Sequence, residues 1–467
     1  MIKKILILLV TILMVSCNDS KDVGHEFTTF GGEIVNPKGK TIIIFKDDAV
    51  VDTLTLSEDN TFQYTFKNPK AGLYSFQHNE FQMFYLEPGD SLRLRVNTMD
   101  FDESLHYSGR GSKENNLLME LFLQNEKDIK TLGAFYMLEP TQFQEKLDSL
   151  NKRNKSKYDA FIAKHKPSEG FKSVAQSNCK YNHYIKKELY TSVLNKNEER
   201  VATAVFPKNF YEYRENIDFN NSSLRTYYPY YRFLNIYFDN ITYPSYAKEG
   251  GQNNRSFKHV YKKVALIDSL VPNDSLKHKL IVRNVRRYLL SAKNVENERK
   301  MVAFFKKHVD NPKAQEEIDA LAEATMKLTP GQTLPNILLL NTGNATEGLH
   351  AILKKDAVLY FWSLESVKHF KDIHSKAAEL ASKYPEYQFV GINTDTHFKK
   401  WLKAVKASGY NQANEYQFED IETAEKKLLL NSHNKALIIT KTGEILESNT
   451  NLFNPKIEQQ LLGFLNQ

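Results

Sequence analysis

The feature that most constrains this chain is the run of residues 357–393. It opens with Ala357-Val358-Leu359-Tyr360-Phe361-Trp362, a short β-branched and aromatic stretch with no polar face. A strand apolar on both faces has to be covered on both sides, which describes the centre of a sheet rather than its rim. A polar turn follows at residues 363–366. Then Phe370, Ile373, Ala377, Leu380, Ala381 and Tyr384 recur at three- and four-residue spacing until Pro385, which predicts an amphipathic helix. A second apolar run, Phe389-Val390-Gly391-Ile392, completes a strand-helix-strand unit of the size a right-handed parallel crossover needs.

The elements around that unit predict a module over residues 329–467. Thr329-Pro330-Gly331-Gln332 breaks the preceding helical pattern. A strand is expected at 337–340, a helix at 397–408, a strand at 436–440, a turn at 441–443, a returning strand at 444–446 and a closing helix from 454. With Phe361-Trp362-Ser363 ending the first strand, Asn393-Thr394-Asp395 in the loop after the second, and Trp401 beyond it, the module resembles the membrane-facing thioredoxin-like proteins of the TlpA/ResA thiol-disulfide oxidoreductase type. The resemblance implies a Cys-x-x-Cys at the start of the helix. Ser366, Val367, Lys368 and His369 stand there instead, so both cysteines are missing. The family's cis-proline aligns with Asn434, after His433; a non-proline cis bond costs about 2.5–4 kcal/mol, so a trans bond is expected.

The N-terminus predicts export. Lys3 and Lys4 precede an apolar stretch at 5–15 and then Ser16-Cys17, the pattern of a secretory signal too short to span a bilayer. Met14-Val15-Ser16-Cys17 resembles a bacterial lipobox, which implies that Cys17 carries the lipid. The expected place is therefore the cell envelope, in contact with the membrane through the acylated Cys17, which holds far better than one chain. Asn18, rather than Asp, follows the lipidated Cys and points to the outer membrane over the inner, in the periplasm or at the surface. The chain has two cysteines; with Cys17 lipidated, Cys179 stands alone and no internal disulfide is expected.

Between signal and module, two regions differ in pattern. Residues 41–45, 50–56, 61–66, 73–76, 81–86 and 91–96 mostly alternate apolar with polar, with turns at Asp59-Asn60, Asn68-Pro69 and Pro88-Gly89-Asp90, which predicts an antiparallel β-sandwich. The segments Leu86-Glu87-Pro88-Gly89-Asp90-Ser91 and Ser108-Gly109-Arg110-Gly111-Ser112 resemble those of the small β-domain that precedes such modules in envelope lipoproteins. Residues 111–328 carry apolar positions at helical spacing. The expected whole is a multidomain α+β protein: signal 1–17, β-sandwich 24–110, helical region 111–328 and thioredoxin-like α/β domain 329–467.

Several stretches invite functional readings. Residues 227–246 are dense in aromatics, which fits either a ligand face or a core helix between Pro229 and Pro244. Residues 277–307 carry ten Lys or Arg against two Glu, either a solvated face or a contact for anionic lipid. Cys179 fits a small core residue. Ser366 and His369 share a first helical turn beside Glu365, as a nucleophile and base would, yet Ser366 also suits an N-cap. No metal-ligand spacing, Walker A motif or dinucleotide loop is present, so no metal or cofactor is expected. The net charge of +7 on 467 residues demands no nucleic acid.

Thiol-disulfide exchange needs an attacking thiolate and a second sulfur to resolve the mixed disulfide. The module has neither. The sequence therefore favours a redox-inactive scaffold that holds a protein or peptide partner at the thioredoxin-like groove. An enzyme with an unusual centre and a surface ligand-capture lipoprotein remain as alternatives.

Overall fold

The computed structural model describes residues 27–430, 432 and 434–466, in two compact units that divide between Gln252 and Asn253. Cys17, with the whole 1–17 segment, and His433 lie outside the described residues.

The first unit opens with strands β1 (Thr28–Val35), β2 (Thr41–Lys46), β3 (Ala49–Thr55), β4 (Thr61–Phe66), β5 (Gly72–His78), β6 (Glu80–Leu86), β7 (Ser91–Asn97) and, after the short helix α1 (Phe101–Ser104), β8 (His106–Ser108). They form two four-stranded sheets, ordered β4-β1-β7-β8 and β3-β2-β5-β6. Alternate residues from both sheets, among them Phe30, Ile44, Phe62, Phe76, Phe84 and Leu92, meet in one apolar core, with Phe30 stacked on Phe84 at 4.2 Å. The expectation of uniformly antiparallel pairing fails at one place. β1 runs parallel to β7 from Thr29↔Ser91 to Val35↔Asn97. Strand β1 carries the Gly31-Gly32 doublet, which weakens any strand pattern in sequence; a Cβ on Gly31 would stand 2.6 Å from the Phe62 carbonyl oxygen and one on Gly32 2.0 Å from that of Leu94. The glycines let β4 and β7 close on β1 from both sides.

The two motifs 86–91 and 108–112 prove to be halves of one corner. The Asp90 carboxylate accepts the Glu87 N–H at 2.8 Å, and Gly111, at φ +88, passes so close that a Cβ there would meet Asp90 Oδ2 at 2.7 Å. Gly109, at φ +85, would bring a Cβ to 2.1 Å from the Ser91 carbonyl oxygen.

Helices α2 (Ser112–Phe135), α3 (Pro140–His165), α4 (Glu169–Leu194), α5 (Glu198–Thr203) and α6 (Tyr228–Thr242) complete the first unit. The second begins with α7 (Phe257–Leu270), α8 (Asp274–Leu289), α9 (Val295–His308) and α10 (Pro312–Met326). Asn273, Asn294 and Asn311 start the last three, each accepting the N–H three residues on at 2.9–3.0 Å.

The remainder of the second unit is a seven-stranded sheet ordered β10-β9-β13-β12-β11-β14-β15. Its elements in chain order are β9 (Leu338–Leu340), β10 (Thr346–Gly348), β11 (Ala357–Trp362), α11 (Val367–Lys383), β12 (Gln388–Asn393), α12 (Phe398–Ser408), β13 (Glu415–Phe418), α13 (Ile421–Leu428), β14 (Ala436–Ile439), β15 (Ile445–Thr450) and α14 (Ile457–Leu465). β11 pairs parallel with β12 and antiparallel with β14, and β14 antiparallel with β15. A parallel crossover joined to an antiparallel hairpin in this order is a thioredoxin-like arrangement. Every residue of β11 is buried. Helices α11, α12 and α14 cover one face of the sheet through Ile373, Leu380, Trp401, Val405 and Leu461; α13 and the segment before β11 cover the other through Leu334, Leu349, Leu353 and Leu428.

The Asp90 corner carries a pH signature. Burial pushes the Asp90 carboxyl up from 3.8 to about 6. Its folded pKa lies above the unfolded value, so between about pH 4 and 6 the folded chain binds more protons than the unfolded chain, and stability falls as pH rises through that window. Urea unfolding midpoints measured from pH 4 to 7 should therefore decline less steeply for Asp90→Asn than for the wild type; parallel curves would show that burial of Asp90 has no such effect.

Candidate functional site

The site lies where β11 and β12 end, because both crossover helices begin there and point their N-termini at one edge of the sheet. The edge is organised around Asp395. Its carboxylate accepts the Ser363 hydroxyl and the Leu364 N–H, the latter at 2.8 Å, and the Ser363 oxygen accepts the Glu365 N–H at 3.1 Å. Asn393 donates to the same carboxylate at 2.9 Å, and Gln417 on β13 donates to Asn393 Oδ1 at 3.0 Å and to the Asp395 carbonyl at 2.6 Å. Three consecutive strands thus contribute to one hydrogen-bonded edge.

Ser366 occupies the N-cap position of α11, but its side chain makes no cap hydrogen bond. The expected capping role is corrected; the side-chain bonds of this turn fall earlier, on the Leu364 and Glu365 N–H groups, which Asp395 and Ser363 accept. His369 does not face Ser366 as a base would face a nucleophile. Its Nε2 meets Asn434 Oδ1 at 3.0 Å, so the two positions that the sequence resemblance aligns with a cysteine and a proline touch each other. Val367 is 55% exposed and Lys368 is exposed. The Phe453 ring, 41% exposed, lies 6.5 Å from the His369 ring. The edge therefore presents an amide-imidazole contact flanked by two apolar side chains.

Beneath it lies a group that sequence inspection passed over. Glu415, 3% exposed on β13, accepts the Tyr360 hydroxyl and the Trp362 indole N–H, both at 3.1 Å, and pairs with His374 Nε2 at 3.2 Å. The His374 Nδ1 sits 2.6 Å from the Phe370 carbonyl oxygen; a carbonyl only accepts, so Nδ1 carries a proton. Tyr410 stacks flat on the imidazole, 3.8 Å away with the planes 4° apart. Burial, and then the Glu415 charge, pushes the Tyr360 hydroxyl well above its usual range, so it stays a donor. Gly391 is required beside this cluster, since a Cβ there would fall 2.5 Å from Glu415 Oε1. The only sequence signal is a pair of polar residues, Glu415 and Gln417, alternating with Tyr416 and Phe418 in a strand whose four residues are all buried.

In the first unit the aromatic stretch is core and not a ligand face. Tyr227, Tyr230, Tyr231, Phe233, Tyr237, Phe238, Tyr243 and Tyr246 are buried, while Tyr228 is 55% exposed. α6 packs these rings on α4, as in the Tyr181–Tyr230 and Tyr181–Phe233 contacts at 4.9 and 5.3 Å. Cys179 is half-buried and lines a small cavity where Leu121, Leu147 and Leu150 stand with Asn125, Asp128, Asn182, His183 and Lys186, and burial pushes its thiol up to about 11, far from the thiolate a redox centre needs.

The basic run at 277–307 falls on α8, α9 and the loop between them, and at least four of its cations are paired. Lys277 lies 3.6 Å from Asp268, Lys300 2.6 Å from Glu296 and Lys306 2.7 Å from Asp319, and Lys293 pairs with Glu447. Neutralised in this way, the run offers less free positive charge than its composition suggests.

No protein-family model matches this chain, and no curated protein does. Among solved structures it is similar to a thioredoxin-like protein from Bacteroides caccae, with 14% identity over 60% of this chain and 94% of that one and a TM-score of 0.37. It is also similar to a thiol:disulfide interchange protein from a Bacteroides species, with 14% identity over 30% and 93% and a TM-score of 0.27. A third is the thioredoxin domain of a thiol-disulfide oxidoreductase from Bacteroides vulgatus, with 14% identity over 30% and 96% and a TM-score of 0.25.

The buried carboxylate gives a test of how the edge is supported. Glu415→Leu takes the acceptor away from the Trp362 indole N–H, which can only donate, and from the Tyr360 hydroxyl, and a buried donor left unmade costs about 1–3 kcal/mol. Urea unfolding should show a lower midpoint with an unchanged slope; a midpoint equal to wild type would remove Glu415 from the support of the site.

Proposed function

We propose that this chain is a lipid-anchored protein of the bacterial cell envelope whose thioredoxin-like module binds an extended segment of a partner protein and carries out no thiol-disulfide exchange. The observation that carries this is the His369–Asn434 contact. It joins the two positions at which a thioredoxin-like protein of the resembled type holds its resolving sulfur and its substrate-facing proline, and neither residue can form a bond to sulfur. What is left is a hydrogen-bonding pair with Val367 and Phe453 exposed beside it, suited to backbone and side-chain contacts with a peptide. The anchor rests on Cys17 and the lipobox-like residues before it. Among the described residues no helix is long and apolar enough to cross a membrane.

Insulin reduction by dithiothreitol is expected to run at the same rate with and without the protein; acceleration would overturn the non-catalytic reading. The double variant Ser366→Cys/His369→Cys should form a reversible disulfide, since the first turn of α11 brings the two positions within bridging distance. Failure of that bond to form would show that these two positions do not correspond to the family's cysteine pair.

The anchor has its own test. Cells expressing Cys17→Ala should accumulate full-length precursor that takes up no labelled palmitate, whereas the wild type is labelled; label on the variant would exclude Cys17 as the lipid site.

A further inference from the structure

Helix α12 carries a stripe of lysines that the fold leaves without counter-ions. Lys399, Lys403 and Lys406 are exposed and separated by four and three residues, so they lie on one face along about 10 Å of helix; Lys400 is exposed beside them. The helix contains no Asp or Glu. Among the described residues none of the four lysines is in an ion pair. Like charges at this spacing destabilise a helix. The neighbouring α11 deals with its lysines differently: Lys376 and Lys383 flank Glu379, each at 3.0 Å, and Lys383 also reaches Glu458 at 2.9 Å. Trp401 and Val405 bury the opposite face of α12 in the core, so the helix is fixed and its stripe cannot turn inward.

The stripe begins at the edge already described. α12 follows the Asp395 loop, whose carboxylate holds the turn leading into α11. Its N-terminus therefore follows directly on the loop that grips Ser363 and Leu364, and its dipole adds positive potential at that end of the sheet. Glu365 and Asp372 are the exposed carboxylates of the adjoining turn and of α11 near that edge, and neither pairs with the stripe.

We infer that the segment bound at the Val367–His369–Asn434 edge is acidic, with an apolar residue seated against Val367 and Phe453 and Asp or Glu residues laid along Lys399, Lys403 and Lys406. This rests on the peptide-binding reading above and specifies its ligand. Two exposed apolar side chains are enough to seat one residue of a peptide and too few for insertion into a bilayer, which favours a peptide over a lipid surface.

The test uses the mature chain from Asn18 to Gln467 and a labelled ten-residue peptide in which four glutamates flank a Leu-Val pair, with a twin carrying glutamine at those four positions. Fluorescence anisotropy should show the acidic peptide binding about tenfold tighter than its twin, the sum expected of a few exposed ion contacts. The difference should vanish at high salt. Lys399→Gln/Lys403→Gln/Lys406→Gln should abolish the preference while leaving the twin's affinity unchanged, with an unaltered circular dichroism melt as the folding control. Equal binding of both peptides would overturn the acidic assignment and leave the peptide-binding edge standing, whereas no binding of either would overturn both. A preference that survives the triple substitution would place the acidic contact elsewhere. Binding to anionic vesicles, lost in the triple variant and without any peptide preference, would assign the stripe to a membrane instead.

Discussion

A carboxylate inside a core sets the terms on which each unit holds together. In the second unit Glu415 is out of reach of water, and its charge is tolerable because two neutral donors and an imidazole from β11 and α11 converge on it. In the first unit Glu188 is fully buried and takes two Arg214 N–H groups at 2.9 and 2.7 Å, the Tyr213 hydroxyl at 2.6 Å and the Asn240 amide at 2.6 Å. Such groups contribute little net stability compared with an apolar core of equal volume. Removing any one partner strands a charge, at about 3–5 kcal/mol. The effect is to fix which strand and which helix meet: a register that slipped would leave Glu415 unanswered.

That constraint explains which parts of the fold were legible in the sequence. The strand-helix-strand unit was, because β11 is apolar on both faces and α11 repeats at helical spacing, and hydrophobic periodicity reports burial directly. Strand β13 was not. Its Glu415 and Gln417 imitate the solvent face of a half-exposed strand, whereas both are buried and answered by residues up to 55 positions away. Strand β1 was hidden by Gly31-Gly32, which only the closeness of its two neighbours explains. The aromatic run at 227–246 was ambiguous because rings serve a core and a ligand face equally well; the contacts of α4 with α6 decide it.

The site divides the same way. Alignment with a known motif located Ser366, His369 and Asn434, but the roles came from geometry. Ser366 sits at the N-cap without capping, and His369 Nε2 meets the Asn434 amide oxygen. Cys179 illustrates the limit of residue-type statistics. A lone buried cysteine usually packs as a small apolar group, yet here the cavity it lines mixes Leu121, Leu147 and Leu150 with asparagines, His183 and Lys186, whose ammonium burial lowers to about 8.

The module is shaped without sulfur: no cysteine stands between residues 329 and 467. The turn into α11 is held by the Asp395, Asn393 and Gln417 hydrogen bonds, and these in turn by the order of β11, β12 and β13. Chemistry at positions 366 and 369 can change while the edge beneath stays rigid. A rigid edge loses little conformational freedom when a flexible segment settles on it, so most of the ordering cost of binding falls on the partner. On the proposed reading an extended segment would settle at the end of β11 and β12, because the hydrogen bonds of Asp395, Asn393 and Gln417 already hold that edge.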